Sequence, residues 1–179
     1  FIVSQTMALS QITEPSALTE QNLKKNELKV NVGMMVLKMP EIYYERILSK
    51  NHAIGFSAGM SLANESNSGI KYMISPQYRL YFGNKIANGF FMEVNTSIYQ
   101  ERVYEYRGYY YPYPSPNPNP NGTKRTNIGV GISSGAKFLT ENNWVGEFNL
   151  GIGTGLLHDA PLYENAYYPR IGFSIGKRF

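Results

Sequence analysis

Tyr167 to Phe179 reads Y-Y-P-R-I-G-F-S-I-G-K-R-F, and its alternate residues separate into two sets. Tyr167, Pro169, Ile171, Phe173, Ile175, Lys177 and Phe179 are mostly apolar; Tyr168, Arg170, Gly172, Ser174, Gly176 and Arg178 are smaller or polar. Successive side chains of a strand point to opposite faces, so this period of two predicts a β-strand with one greasy side. A tilted strand of roughly 9 to 11 residues crosses a bilayer, and this stretch is long enough.

The pattern recurs upstream. Leu28, Val30, Val32, Met34 and Val36 alternate with Lys29, Asn31, Gly33 and Met35, predicting a first strand that runs to Val36 before a turn at Lys38 to Pro40. Ile42 to Leu48 is a second strand, with Arg46 on its apolar side at the membrane edge or beside a bulge. Ile54, Phe56, Ala58, Met60 and Leu62 mark a third, and Ile70 to Phe82 a fourth, where Pro76 removes a ladder donor and predicts a bulge or kink. The fifth carries Phe90, Met92, Val94, Thr96 and Ile98; the sixth Ile128, Val130, Ile132, Ala136 and Phe138; the seventh Trp144, Phe148, Leu150, Ile152 and Leu156. Arg102 to Arg125 breaks every period with R-G-Y-Y-Y-P-Y-P-S-P-N-P-N-P-N-G and reads as a loop. With the terminal segment the strands number eight.

Composition narrows the classes. The mean hydropathy of −0.33 and the absence of any apolar run near about 18 residues exclude a helical membrane protein, a test that a barrel escapes because only every second residue meets lipid. Fifteen Tyr, nine Phe and 17 Gly suit interfacial girdles and a crowded interior. No Cys is present, which removes disulfides, thiol catalysis and a lipidated N-terminal Cys. One Asp and two His starve a metal cage of ligands, so no metal and no cofactor is expected. The net charge of +4 is spread over single Lys and Arg residues, without the stripe that nucleic-acid binding needs. The glycine patterns at Gly129, Gly131 and Gly135 and at Gly151, Gly153 and Gly155 continue strands and do not open helices, so they are not phosphate cradles.

Eight antiparallel strands in lipid must close, because an open edge leaves N–H and C=O groups without partners. The expected fold is therefore all-β: an eight-stranded antiparallel up-and-down transmembrane β-barrel over residues 27–179. Residues 1–10 read as the remainder of a signal peptide, with small residues at Ala8 and Ser10, and residues 11–26 as a periplasmic tail. Short turns on one side and the long loop on the other predict an outer-membrane location with both termini periplasmic. Phe82, Phe90, Phe138, Trp144 and Phe179 then form the periplasmic aromatic girdle. A barrel of this size is filled by side chains. The inward set holds Lys29, Lys71, Arg79, Lys137 and Arg170 against Glu45, Glu93 and Glu147, a charge network expected to pair within the lumen.

With its strands placed, the chain resembles the small OmpA/OmpX-like outer-membrane barrels of Gram-negative bacteria. It is most similar to a family of uncharacterised barrels, on Lys29 and Asn31, Tyr44-Glu45-Arg46, Pro76 with Tyr78, Arg79 and Tyr81, and the strand ending in Phe179. The resemblance covers residues 26–179 and implies fold and location but no reaction. It also implies that the terminal strand is read by the outer-membrane assembly machinery, and that lipid and lipopolysaccharide surround the barrel.

The functional expectation is a non-enzymatic barrel with a structural, envelope or adhesion-like surface role. Tyr104, Tyr106, Tyr109, Tyr110, Tyr111 and Tyr113 crowd loop 102–125, whose prolines lower the ordering cost of binding an extracellular ligand; the plainer reading is a solvated surface loop. The alternatives are a lipid A deacylase-like or acyltransferase-like enzyme and a narrow, porin-like solute conduit. The enzyme would use His158 with Asp159 or Glu164, but no Ser stands at the matching height in the neighbouring strand.

Overall fold

The computed structural model describes residues 24–62, 69–103, 123–156 and 167–179. Eight strands follow in order: β1 (Asn26–Asn31), β2 (Glu41–Ile47), β3 (His52–Met60), β4 (Ile70–Tyr81), β5 (Gly89–Val103), β6 (Thr123–Leu139), β7 (Trp144–Gly155) and β8 (Tyr167–Arg178). Each pairs antiparallel with its sequence neighbour, and β1 pairs with β8, so the sheet is a closed barrel. The segments assigned to the signal remnant and most of the tail lie outside the described residues, as do most of the Tyr-Pro-Asn loop and His158, Asp159 and Glu164.

Alternation sets the two faces. In β5, Phe91, Glu93, Asn95, Ser97 and Tyr99 are buried while Phe90, Met92, Val94 and Ile98 are exposed. In β8, Tyr168, Arg170 and Ser174 are buried while Ile171, Phe173 and Ile175 are exposed. One end of the barrel carries the connections at residues 48–51, 82–88 and 140–143 together with Asn26 and Phe179, whose backbones exchange hydrogen bonds of 3.1 and 2.8 Å. This is called the turn end, and the opposite rim the loop end. Phe82, Phe90, Phe138, Trp144 and Phe179 are all exposed at the turn end, and the Phe82 and Phe90 rings lie 5.8 Å apart.

Three sequence expectations need correction. The first strand does not run to Val36: it stops at Asn31, and Val32–Val36 forms a one-turn helix, α1. The Asn31 side chain accepts a hydrogen bond from Met34 N at 3.2 Å, a cap that competes with continued strand. The other end of α1 closes with paired bonds, Met39 N to Met34 O and Lys38 N to Met35 O, around Lys38 in the left-handed region at φ 59°. Val32 and Met34 alternate as a strand would, but local hydrogen bonding decides the backbone.

Second, Arg102 to Arg125 is not loop throughout. Glu101, Arg102 and Val103 pair with Arg125, Lys124 and Thr123, extending the β5–β6 hairpin. Backbone pairing carries the ladder past the last clear alternation. Third, Pro76 produces no bulge. The β4–β5 pairing skips Ser75 and Pro76 and resumes at Gln77 in unchanged register, and the irregularity falls instead between Ile70 and Tyr72. A missing donor leaves a gap in the ladder without forcing an extra residue into the strand.

Candidate functional site

The lumen is layered. Nearest the turn end, Ile47, Ala53, Tyr81, Ala87 and Phe91 form an apolar floor. Ala87 belongs to the β4–β5 turn, which folds across the mouth: Ala87 N donates to Lys50 O at 2.8 Å, and Arg178 donates from Nη1 to Ile86 O at 3.1 Å and from Nη2 to Ala87 O at 2.8 Å. Arg178 also holds Glu27 through Nε at 2.8 Å, which ties the last strand to the first.

Above the floor lies the charge network, centred on Glu45 of β2. Its Oε2 accepts from Lys29 Nζ and Arg79 Nη1, both at 2.8 Å, and its Oε1 from Lys137 Nζ at 2.6 Å and Tyr81 Oη at 2.7 Å. Glu147 accepts from Lys29 at 2.6 Å and Arg79 at 2.8 Å. Arg79 Nη2 lies 2.8 Å from Glu93 Oε2, and Lys137 Nζ 2.7 Å from Glu27 Oε2. These side chains come from β1, β2, β4, β5, β6 and β7 and are all but fully buried. Such charges persist away from water only when paired with good geometry, as they are here. The Arg79 guanidinium stacks 4.6 Å above the Phe91 ring, joining network to floor.

The structure thus brings together Lys29, Glu45, Arg79, Glu93, Lys137, Glu147 and, 3.5 Å from Glu93, Arg170. It does not bring in Lys71, a correction to strict alternation: Lys71 sits half-buried at the bulge in β4, and its ammonium makes no ion pair among the described residues. Glu27, Arg178 and Tyr81 complete the network beyond the residues expected from the sequence. Arg178 and Tyr81 could have been found, since both lie on the inward set of their strands; Glu27 precedes the first clear alternation and gave no such signal. The six loop tyrosines proposed for surface contact lie outside the described residues.

Toward the loop end the lumen changes character. Met73, Tyr99 and Tyr168 cluster with Met39 and Ile70, and the Tyr99 and Tyr168 rings meet edge-on at 5.4 Å. Several buried polar atoms in this part of the barrel have no hydrogen-bond partner among the described residues, including Ser57 Oγ, both ends of the Gln77 amide, Asn149 Nδ2 and Tyr168 Oη. A cavity of about 210 Å³ opens here, with Glu41, Tyr43, Tyr168 and Arg170 on its walls. A larger depression of about 930 Å³ lies against the outward-facing Ile54, Phe56, Val94, Val130 and Ile152. The wall there runs close to the lumen side chains: a Cβ on Gly131 would fall 2.9 Å from Asn95 Oδ1.

No group of three or more His, Cys, Asp or Glu suited to a metal ion occurs among the described residues. Fold and interior together define a closed eight-stranded antiparallel β-barrel with its charges inside and its large apolar side chains outside. Residues 6–170 match the model of DUF3575, a family of proteins of unknown function, and the chain belongs to that family. No curated protein and no solved structure matches it.

Proposed function

We propose that the protein is a non-enzymatic outer-membrane β-barrel with a structural, envelope or surface-interaction role, its lumen closed by side chains and both termini on the periplasmic side. The observation that carries this reading is the inversion of the molecule. Every strand exposes large apolar side chains outward, among them Val30, Ile42, Phe56, Ile74, Val94, Ile132, Leu150 and Phe173, while Lys29, Glu45, Arg79 and Lys137 are 0% exposed within. Soluble monomers rarely expose contiguous apolar patches beyond a few hundred Å². An apolar band around the whole circumference suits lipid, and the exposed aromatics at the turn end suit its interface. In that setting acyl chains fill the depression beside Phe56 and Val94.

Tight ion pairing across the lumen and the turn folded over one mouth support a packed interior over a conduit. The test is heat-modifiable gel migration of protein from an outer-membrane fraction, with planar-bilayer recording of the same material. A boiling-dependent shift and no steady conductance are expected. A soluble protein without the shift would overturn the membrane reading, and steady single-channel steps would overturn the closed lumen. Deleting Tyr109 to Pro120 is expected to leave the barrel folded and to lower cell binding; unchanged binding would remove the adhesive role.

A further inference from the structure

Arg46 is a charge on the outward face of the wall. The β2–β3 pairing runs in unbroken register from Glu41↔Gly59 to Ile47↔Ala53, so no bulge turns Arg46 inward, and it is exposed beside the exposed Ile54. It also stands at one end of the 930 Å³ depression, which is a continuous groove. The floor follows one register row, Gly55↔Gln77, Gln77↔Asn95, Asn95↔Gly131 and Gly131↔Gly153. One bank is the row Arg46, Ile54, Tyr78, Val94, Ile132 and Ile152, each paired with the next. The other bank runs from Tyr44 through Phe56 and Val130 to Tyr167. Arg46 is the penultimate residue of β2, at the turn end, whereas Ile152 lies near the loop end of β7, so the groove climbs the wall diagonally. At about 4.8 Å per strand spacing it is about 24 Å long from β2 to β7. One leaflet of a core about 30 Å thick offers about 15 Å along the membrane normal, so a tilted acyl chain fits along it.

The head of this groove is cationic. Arg46 Nη1 and Tyr44 Oη both donate to Asn26 Oδ1 at 2.8 Å, which holds the guanidinium against the wall. The rest of the guanidinium takes no acceptor among the described residues, and because the side chain is exposed it presents a planar fork suited to two oxygens of one phosphate. Lys177 stands across β1 from it: Leu28 pairs with both Tyr44 and Lys177, and the exposed Lys177 ammonium lies 5.4 Å from the Trp144 ring centroid. Neither cation makes an ion pair among the described residues, with Glu141 of the β6–β7 turn or with any other carboxylate. The outward sets of β1, β2, β3, β7 and β8 contain no Asp or Glu, since Glu27, Glu41, Glu45 and Glu147 all belong to the inward sets. The wall here offers positive charge and no negative charge beside an apolar trough.

We propose that this face of the barrel is a binding site for a glycerophospholipid of net negative charge, of the phosphatidylglycerol type. Its phosphate meets the Arg46 fork, Lys177 adds a second positive charge across β1, and one acyl chain lies along the groove past Ile54 and Val94. A phosphatidylethanolamine would bring its own ammonium beside two cations and find no carboxylate on the wall, so it binds less well. Both cations project from the side wall among the exposed Leu28, Ile175 and Phe179, and not from the turns that cap this end, which favours a lipid over an acidic partner in the water. This rests on the membrane reading above and names the lipid that the turn-end leaflet supplies.

The test is native mass spectrometry of the full chain in detergent micelles with equimolar phosphatidylglycerol and phosphatidylethanolamine of the same acyl chains. One phosphatidylglycerol per barrel is expected to be retained, about tenfold over phosphatidylethanolamine. Arg46→Gln, which can still donate to Asn26, is expected to bring that preference down to within about twofold. Lys85→Gln removes the same charge from the exposed β4–β5 turn at this end and is expected to leave the preference as it was, which separates a site from general attraction. Val94→Trp, which fills the groove and changes no charge, is expected to lower retention of both lipids. Retention without preference, a preference that Arg46→Gln leaves intact, an equal fall in Lys85→Gln, retention that Val94→Trp does not lower, or no retention by a barrel that still shows the heat-dependent gel shift would each overturn the site. All of these leave the membrane reading standing, whereas a soluble protein without the shift removes both.

Discussion

Replacing Glu45 by Gln keeps the shape of the central side chain and removes its charge. Glu45 is 0% exposed and accepts from Lys29, Arg79, Lys137 and Tyr81. Without Glu41, the network proper holds five cations, Lys29, Arg79, Lys137, Arg170 and Arg178, against four carboxylates, Glu27, Glu45, Glu93 and Glu147, a balance of +1. The variant leaves five against three, or +2, with three cations deprived of a partner. Removing one member of a buried pair costs about 3 to 5 kcal/mol, equivalent to about two to three and a half powers of ten in the unfolding equilibrium. Trp144 is the chain's single tryptophan and is 51% exposed at the turn end, so its emission reports the surroundings of the girdle. Urea titrations in phospholipid vesicles, followed by that emission, give the difference from the shift in midpoint at equal slope. Adding Lys137→Met returns the balance to four against three, again +1, so the double variant is expected to be less damaged than the sum of the two singles. A Glu45→Gln loss below about 1 kcal/mol would refute the view that these pairs are desolvated.

Gly135→Ala places a Cβ 2.6 Å from Phe91 Cζ and against the Phe148 carbonyl, and is expected to cost about 1 to 3 kcal/mol by overpacking, whereas Gly146→Ala, with nothing within 4 Å, is expected to be neutral; the same titrations compare them. Asn31→Ala removes the α1 cap and two bonds to β8, so a loss of about 1 to 2 kcal/mol is expected, with faster hydrogen exchange at the Phe173 amide. Glu93→Ala leaves Arg79 and Arg170 each short of a carboxylate and is expected to cost about 3 to 5 kcal/mol. Deleting Phe179 is expected to slow insertion, measured as the time course of the heat-dependent gel shift, more than it lowers the stability of the finished barrel. Equal insertion rates would count against the expectation that the terminal strand serves as an assembly signal.

Period-two alternation was enough to place all eight strands and their inward and outward faces, because in a barrel one rule governs every wall residue. The inward Lys29, Glu45, Arg79, Glu93, Lys137, Glu147 and Arg170 were legible for the same reason. What the pattern could not show is where a local hydrogen bond outweighs it. Val32, Met34 and Val36 keep the strand period, yet the Asn31 cap turns them into α1. Lys71 fits the alternation, yet beside the bulge its ammonium joins no ion pair among the described residues. Pairing also reaches further than alternation, since Glu101 to Val103 stay in register with Thr123 to Arg125. The cavity beside Arg170 was invisible because it depends on how far β1 rises relative to β8, which follows from α1.

The shortness of β1 bears on how the barrel is made. β5 and β6 share fifteen paired positions, whereas β1 and β8 share five, from Glu27↔Arg178 to Asn31↔Ser174. The hairpins join residues close in sequence, but the contact between Glu27 and Arg178 spans 151 positions. Contacts of such separation are paid for in loop entropy before they return anything, so they form late. Folding then runs through an open, curved sheet whose two edges meet last, and the Glu27–Arg178 pair latches the cylinder as it shuts. The seams of β1 with β8 and with β2, five paired positions each, are the narrowest in the wall, and they are where the finished barrel would first come apart.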